Sequence, residues 1–160
     1  MAGLVCDDIL CEKAENKLRE NGVNVLTESK VIEIVGDQKA KKVKLESGKE
    51  IPADVVIIAT GVEPNTELAS KVGLDSAPKK GILVDEYMRT SDPDIFACGD
   101  CVEKPSYFGE NFQAAWLASI ATNEGRVVGA NLYNLRRKKQ KSIGIFSTIV
   151  DDLALVVAGL

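Results

Sequence analysis

The run Val55-Val-Ile-Ile-Ala59 constrains the fold of this chain more than any other segment. It is continuously apolar and largely β-branched, and no polar residue interrupts it. A run of this kind predicts a strand that is buried on both faces, as in a parallel sheet covered by helices. We therefore expect an α/β fold whose sheet is mostly parallel.

Residues 31–51 have a different pattern, which predicts an antiparallel β-meander. Apolar residues at the ends and centre of Val31–Val35 and the alternation within Val43–Leu45 indicate two strands. The turn signals Gly36-Asp37-Gln38 and Ser47-Gly48 follow these strands, and Ile51 opens a further edge. The meander would then form an antiparallel flap on the parallel sheet.

Apolar spacing and turn residues predict the remaining elements. We expect helices over 8–21, ended by Gly22, over 66–72, ended by Gly73, and over about 114–137. We expect strands over 23–26, 81–84, 95–97, 143–150 and 153–157.

Composition excludes several classes of function. The chain has 160 residues, a formal net charge of -4 and no histidine. The length alone predicts one domain, and the missing imidazole excludes Ser-His-Asp triads, Cys-His nucleophiles and His-ligated zinc. The acidic balance argues against a nucleic-acid-binding domain. No signal peptide or membrane-spanning apolar run is visible, so we expect a cytoplasmic protein with reduced thiols.

The segment Thr90-Ser-Asp-Pro-Asp-Ile-Phe-Ala-Cys-Gly-Asp100 is the most specific candidate site. It predicts a turn, a short apolar strand and then Gly-Asp at the carboxyl end of that strand, where open α/β sheets bind ligands. Gly99 lets a bulky ligand approach the backbone, and the Asp100 carboxylate can accept a hydrogen bond from a ribose-like or ribitol hydroxyl. An isolated Gly-Asp is also common in ordinary turns.

The whole string resembles the second FAD-binding motif of the pyridine nucleotide-disulfide oxidoreductases. Val55–Asn65, with Thr60 and Gly61, looks like the Ala-Thr-Gly junction of the same family. Leu117-Ala118, followed by Gly125-Arg126 and Gly129–Asn131, resembles the family helix whose first N–H groups face the flavin, a role that suits a positive helix end. Gly61–Asn65 and Cys98–Glu103 are most similar to the NADH oxidase and coenzyme A-disulfide reductase branch.

The resemblance implies a partial FAD/NAD(P)-binding, Rossmann-like three-layer fold with an antiparallel β-meander. Residues 1–59 would be the C-terminal half of the NAD(P)-binding domain, 60–140 the C-terminal part of the FAD-binding domain and 141–160 the start of the dimerisation domain. The implied cofactors are FAD and NAD(P)H, and the implied cofactor-binding residues are Thr60, Gly61, Gly99, Asp100 and Ala118. In the family, hydride passes from NAD(P)H through the flavin to a disulfide or to oxygen.

The resemblance assigns no catalytic residue to this chain, because the redox cysteine of the family belongs to its N-terminal portion. No G-x-G-x-x-G motif occurs among the 160 residues, so neither dinucleotide-binding fingerprint is present. We therefore expect the chain alone to have no turnover and to bind FAD weakly or not at all.

Other interpretations stay open. The chain could be a non-catalytic oligomerising module in which residues 143–160 pair between copies, since exposed strand edges seek partners. Cys98-x-x-Cys101 could be a redox dithiol, or could join Cys6 and Cys11 as metal or cluster ligands, although free, partly buried thiols are favoured. The run Arg136–Lys139 with Lys141 could bind nucleic acid, but cations at a helix end are favoured.

Overall fold

The computed structural model describes residues 8–107, 109–113 and 116–158, with the backbone alone described at 106 and 109–113. Its elements, in chain order, are α1 (Asp8–Glu20), β1 (Val31–Gly36), β2 (Ala40–Leu45), β3 (Glu50–Pro52), α2 (Glu67–Lys71), β4 (Ser76–Ala77), β5 (Gly81–Ile82), β6 (Pro105–Ser106), β7 (Gly109–Gln113), α3 (Ala118–Asn131), β8 (Ile145–Val150) and β9 (Leu153–Ala158). The described chain divides into two compact units, residues 8–61 with 150–153 and residues 62–149 with 154–158.

Helix α1 opens the first unit and confirms the helix predicted over 8–21. Gly22 follows it with a left-handed φ of 80°. The N–H of Gly22 donates to Arg19 O at 3.0 Å, and the N–H of Val23 donates to Leu18 O at 3.0 Å. These paired bonds form a Schellman motif, which satisfies the last helical carbonyls and requires a residue that tolerates positive φ.

The antiparallel meander is also confirmed. Strands β1, β2 and β3 form a three-stranded sheet in that order. Val43 is the central point of the register, because it pairs with Ile34 on β1 and with Ile51 on β3. Leu45 at the end of β2 is buried at 4% exposure, so one end of this sheet has a covered apolar side chain.

The strand predicted over Val55–Ala59 is wrong for the described residues. This segment has no strand pairing, and Val55, Ile57 and Ile58 are 78%, 86% and 72% exposed. A strand buried on both faces needs neighbouring strands and covering helices, and the described residues supply none for this segment. The short strand predicted over 23–26 is likewise absent from the described chain.

The second unit contains the main apolar core. Ala69, Ile82, Met88, Val102 and Val127 form one buried cluster. Helix α2 spans Glu67–Lys71 with Thr66 and Val72 as its cap residues, which confirms the helix predicted over 66–72. The strand predicted over 81–84 is confirmed only at its start, where β5 pairs with β4.

The backbone around residue 81 explains why β5 begins with a glycine. The φ of Gly81 is 118°, and a Cβ at this position would lie 2.7 Å from Cys101 O. The neighbouring Ile82 N–H donates to the same carbonyl at 2.8 Å. The close approach of these two backbones therefore excludes a side chain at residue 81.

The buried strand predicted over 95–97 is wrong in form. The segment makes only an isolated antiparallel bridge between Phe96 and Arg89, and Ile95 is 38% exposed. The N–H of Ala97 donates to Met88 O at 3.1 Å. A single bridge to one neighbouring segment does not form the hydrogen-bonded ladder of a β-strand, so the predicted strand is present only as this bridge.

The helix predicted over 114–137 is shorter in the structure, and residues 114–115 lie outside the described ranges. Helix α3 ends at Asn131, whose side chain is 2% exposed. Its Oδ1 accepts the N–H groups of Arg136 and Arg137 at 2.8 and 2.9 Å. Its Nδ2 donates to Arg137 O at 2.7 Å and to Tyr87 O at 3.0 Å. These bonds turn the chain away from the helix axis.

The last two predicted strands are confirmed. Strands β8 and β9 form a two-stranded sheet, with a turn at Asp151, whose φ is 56°. No helix among the described residues is long and apolar enough to cross a membrane. The structure is a partial α/β, Rossmann-like fold. The mostly parallel sheet that the sequence predicted is not found in the described residues, where the pairs β1–β2, β2–β3, β4–β5 and β6–β7 are antiparallel and one isolated bridge, between Ile82 and Val102, is parallel. The division at 59/60 and 140/141 stays a prediction.

Candidate cofactor-binding site

The Thr-Ser-Asp-Pro-Asp part of the motif forms a turn that is fixed by its first side chain. The Thr90 hydroxyl can donate its hydrogen to Asp92 O or to Ile95 O, each 3.0 Å from its oxygen. The same oxygen accepts the Asp92 N–H at 3.2 Å. The Asp94 N–H donates to Asp92 Oδ1 at 2.9 Å. Short polar side chains thus replace the backbone partners that this turn lacks, which explains the residue types at these positions.

The segment before this turn is fixed by Asp85. Its carboxylate accepts the N–H groups of Tyr87 and Arg89 at 2.8 and 2.9 Å, and the Arg89 Nε–H at 2.7 Å. Burial raises the pKa of Asp85, but these hydrogen bonds and the Arg89 charge outweigh it and hold the pKa below its usual value. Met88, enclosed by this arrangement, is fully buried with a φ of 71°.

Gly99 and Asp100 follow at the far end of the motif. Gly99 has a φ of 82°, and a Cβ placed on it would lie 4.0 Å from the Ala121 Cβ of α3. Asp100 is exposed, and its carboxylate has no hydrogen-bond or ion-pair partner within the described part of the chain. The Asp100 carboxylate is therefore an accessible hydrogen-bond acceptor that directly follows Gly99, the residue beside the first turns of α3. A carboxylate that binds hydroxyl groups requires this accessibility.

Helix α3 begins at Ala118 with an N-terminus that no side chain caps. The N-cap residue Leu117 makes no side-chain cap, and the first turn contains no acidic residue. Ala118 itself is exposed. The first backbone N–H groups of this helix and its positive dipole end are therefore available to an electron-rich ligand.

A buried carboxylate joins the Gly-Asp loop to α3. Glu124 is 1% exposed, and its Oε2 accepts the Gly99 N–H at 2.9 Å and the Lys104 Nζ at 2.6 Å. Lys104 Nζ also donates to Gly99 O. On the other side, Lys139 Nζ lies 2.6 Å from Glu124 Oε1.

Opposed effects set the protonation of this cluster. Burial raises the pKa of Glu124, but the hydrogen bond from Lys104 and the charges of Lys139 and Lys104 outweigh it, so the pKa lies below its usual value. Glu124 is therefore an anion between two cations. Burial raises the pKa of the nearby Cys98 thiol, and its electrostatic interactions with Cys101 and with the Glu124 carboxylate add to this effect.

The described cysteines are free thiols, namely Cys11, Cys98 and Cys101. The Cys101 Sγ donates to Cys98 O at 3.3 Å, and Cys6 lies outside the described residues. No group of metal-ligating side chains is found in the described ranges. A raised pKa disfavours the reactive thiolate that a redox dithiol needs.

Thr60 and Gly61 belong to the first unit. Gly61 has a φ of 102°, and both residues are exposed. Thr60 borders an apolar cavity of about 430 Å³, whose other lining residues are Val31, Ile32, Glu33, Ile34, Val56, Ile57 and Ile58. The role of Thr60 and Gly61 toward a cofactor stays a prediction, as do those of Gly99, Asp100 and Ala118.

Two of the five basic residues after α3 are paired with acidic side chains. Lys138 Nζ lies 2.6 Å from Glu86 Oε1, and Lys139 contacts Glu124 as described above. The two paired lysines are thus neutralised locally, whereas Arg136, Arg137 and Lys141 are exposed. Trp116, shortly before α3, is half-buried, and the Phe112 side chain lies outside the described part of the chain.

Sequence reasoning missed Lys104, Glu124, Lys139 and Asn131. The buried residues of α3 are Glu124, Val127 and Asn131, which share one face at helical spacing. Two polar residues on the apolar face of a helix are the signal that could have identified them, because buried polar groups need partners. Nothing in the sequence, however, indicates which lysines supply those partners.

Comparison with known proteins matches residues 3–125 to the family described as pyridine nucleotide-disulphide oxidoreductase. The chain is 33% identical over 154 residues to a NADH oxidase of Methanocaldococcus jannaschii, covering 96% of this chain and 34% of that protein. Among solved structures, it resembles an FAD-dependent pyridine nucleotide-disulphide oxidoreductase from Desulfovibrio vulgaris, with 37% identity and a TM-score of 0.90, covering 98% of this chain and 39% of the other.

A NAD-dependent persulfide reductase from A. fulgidus is also similar, with 41% identity and a TM-score of 0.92, covering 100% of this chain and 30% of the other. The chain thus spans about a third of the length of the relatives that it matches. The family match over most of the sequence confirms the resemblance that the Gly-Asp and Thr-Gly segments carried. This chain belongs to the pyridine nucleotide-disulphide oxidoreductase family.

Proposed function

We propose that this chain supplies the ribityl side of an FAD site in an NAD(P)H-dependent flavin oxidoreductase. The observation that carries the proposal is the Gly99-Asp100 loop beside the first turns of α3, with Gly99 hydrogen-bonded to Glu124 of that helix at 2.9 Å. The match to FAD- and pyridine-nucleotide-dependent relatives supports it. The oxidant, a disulfide or oxygen, stays a prediction.

The residues present fit a flavin in three respects. Asp100 offers an exposed carboxylate that can accept hydrogen bonds from ribityl hydroxyls. Gly99 has no side chain to obstruct a ligand beside Ala121, and the uncapped start of α3 at Ala118 offers positive N–H groups. When bound, FAD would supply the redox chemistry, while these residues would orient it and stabilise its charge.

We further propose that the chain alone has no turnover. Its sequence contains no G-x-G-x-x-G loop for either dinucleotide, and such loops normally bind the pyrophosphate at a helix N-terminus. FAD binding by the chain alone would therefore rest on the ribityl and ring contacts, with a dissociation constant on the order of 1 mM. A cytoplasmic location remains part of this proposal.

Nuclear magnetic resonance of the 15N-labelled chain tests this function. Titration with FAD should move the amide signals of Gly99, Asp100 and Ala118 in a saturable way, whereas ADP, which lacks the flavin and ribityl, should not. Asp100→Ala should weaken binding by about tenfold, equivalent to about 1.4 kcal/mol. Asp94→Ala, another exposed aspartate of the motif, is the matched control and should bind FAD as the parent does.

Equal shifts with ADP, or equal FAD affinity in Asp100→Ala, would contradict the assignment of Asp100. The proposed lack of turnover has its own measurement. A purified sample with flavin absorbance that NADH bleaches would show that the chain alone is active.

The second candidate function is an oligomerising module, and strands β8 and β9 favour it. A two-stranded sheet leaves both outer edges open and is marginal by itself. Ile145, Ile149 and Val156 on these strands are 58%, 72% and 65% exposed. We propose a second copy of this chain as the partner that covers them.

Multi-angle light scattering decides between a monomer and this assembly. The parent chain should have the molar mass of an oligomer at about 50 µM. Ile149→Lys should lower this mass toward that of the monomer, because a lysine opposes edge pairing. Leu68→Lys, a similarly exposed leucine on α2, should leave the mass unchanged. A parent that is monomeric at this concentration would exclude the module.

A further inference from the structure

The two peptide groups that flank the Cα of Gly99 are held by two buried, oppositely charged side chains. Glu124 Oε2 accepts the Gly99 N–H at 2.9 Å, and Lys104 Nζ donates to the Gly99 carbonyl. The two charged groups are themselves 2.6 Å apart. Backbone and side chains thus form a closed ring around a single glycine.

The second of these peptide groups, which joins Gly99 to Asp100, determines the position of Asp100. The Gly99 carbonyl and the Asp100 nitrogen lie in one planar unit. Lys104, together with the Val102 N–H that donates to the same carbonyl at 3.1 Å, therefore fixes the direction in which the chain enters Asp100. At a φ of 82° Gly99 has the conformational freedom of glycine, and the ring restricts that freedom. The Asp100 carboxylate then starts from a defined backbone position.

Burial makes this arrangement costly. The side chains of Lys104 and Glu124 are 0% and 1% exposed. A buried ion pair is often no more stabilising than apolar residues of the same volume, because desolvation offsets the attraction. Stability alone is therefore a weak reason for placing these charges under the loop, and the specific geometry of Gly99 is a better one.

Lys139 completes the constraint on Glu124. Its Nζ lies 2.6 Å from Glu124 Oε1 as an ion pair without hydrogen-bond geometry, so a cation lies against each oxygen of the carboxylate. The carboxylate cannot rotate without losing one of these contacts. Glu124 is thereby held in the orientation in which Oε2 faces the Gly99 N–H.

We propose that Lys104 and Glu124 are positioning residues that preset the Gly99-Asp100 backbone for the hydroxyl groups of the flavin. This inference rests on the proposed function, because the positioned Gly99-Asp100 backbone would serve to bind FAD. Neither side chain needs to touch the ligand. Their effect on affinity would act through the reduced conformational freedom of the loop before binding.

Lys104→Met is the first test, because methionine keeps much of the lysine stem and removes the donor to Gly99 O. Glu124→Gln/Lys104→Met is the second, because it removes both charges of the pair and leaves Lys139, whose side chain is 9% exposed, as the remaining cation of the cluster. Lys80→Met is the matched control, since Lys80 contacts Glu103 at 3.9 Å on the exposed surface and makes no contact with Gly99. Each variant is compared with the parent in the full chain.

Amide hydrogen exchange and FAD titration are measured together with the thermal unfolding midpoint. We expect Lys104→Met to increase exchange at Gly99 and Asp100 by about tenfold and to weaken FAD binding by about tenfold. Exchange at Leu45, in the meander, should not change. Lys80→Met should match the parent in all of these measurements.

The outcomes separate the two proposals. Unchanged exchange at Gly99 and unchanged FAD affinity in a folded Lys104→Met would overturn the positioning role, as would an increase in exchange spread evenly through the second unit. If Lys104→Met does not fold, the double variant decides by the same criteria. A parent that gives no FAD-specific shifts contradicts the proposed function, and the positioning of the loop is then decided by Gly99 exchange.

Discussion

The two units of this chain differ in how their apolar and polar groups are satisfied. In the first unit, Ile57 and Ile58 extend into solvent at 86% and 72% exposure. In the second, Met88 and Val102 are fully buried, and even the charges of Lys104 and Glu124 find partners inside it. The second unit completes its own contacts, whereas the apolar segment of the first requires groups that the described residues do not supply.

The largest expected difference between the units concerns stability. Met88→Ala should lower the free energy of unfolding by about 2–5 kcal/mol, because it opens a cavity in the core of the second unit. Ile57→Ala in the first unit should change it by less than about 0.5 kcal/mol, because this side chain is already solvated. Urea denaturation measures both, followed by circular dichroism for the whole chain and by the fluorescence of Trp116, the single tryptophan, for the second unit. Equal losses would show that the exposed segment is covered in solution.

Acid should destabilise the second unit through Glu124. Its pKa is lowered from an ordinary value of 4.5, so its stabilising effect is present above about pH 4.5 and is lost as the pH falls through the folded pKa. Lys104 and Lys139 contact this carboxylate, and the Cys98 thiol lies in its field. Glu124→Gln should therefore be less stable at pH 7 and show a shallower acid loss than the parent.

Thermal midpoints between pH 3 and pH 7 measure this dependence. Glu67→Gln is the control, because Glu67 pairs with Lys71 on the surface of α2 at 2.6 Å and exposed pairs contribute little. If the thermal midpoint falls equally steeply with acid in Glu124→Gln and in the parent, the pH dependence belongs to other carboxylates, such as Asp85.

The smallest expected effect concerns Cys98. Because burial raises the pKa of its thiol, little thiolate is present near pH 7, and iodoacetamide should label it several-fold more slowly in the native chain than in urea. Peptide mapping by mass spectrometry follows the rate for each cysteine. Labelling of Cys98 that is faster in the native chain would instead favour the dithiol interpretation of Cys98 and Cys101.

Local patterns predicted the local structure well. The end of α1 at Gly22, the antiparallel meander within residues 31–51 and the strands β8 and β9 follow from neighbouring residues, which the sequence displays directly. The apolar run at Val55–Ala59 correctly indicates residues that favour burial, but a pattern does not say which groups cover them. Its prediction as a buried strand was wrong for that reason.

The candidate site shows the same division. The Gly-Asp motif identified Gly99 and Asp100, because glycine and a short carboxylate have distinctive local roles. Lys104 and Lys139 lie 20 and 15 residues from Glu124 on opposite sides, and charged residues at such distances usually lie on the surface. Only the packing of α3 against the loop brings these charges together.

Asn131 has a consequence for how this chain tolerates change. Its amide bonds to the backbone of Arg136 and Arg137 fix both ends of the short loop 132–135, in which Tyr133 is 94% exposed. The cost of a longer loop rises only slowly with its length once its ends are fixed. An inserted peptide tag or a fluorescent label can therefore enter between Leu132 and Leu135 while the helix and the Gly-Asp loop keep their places.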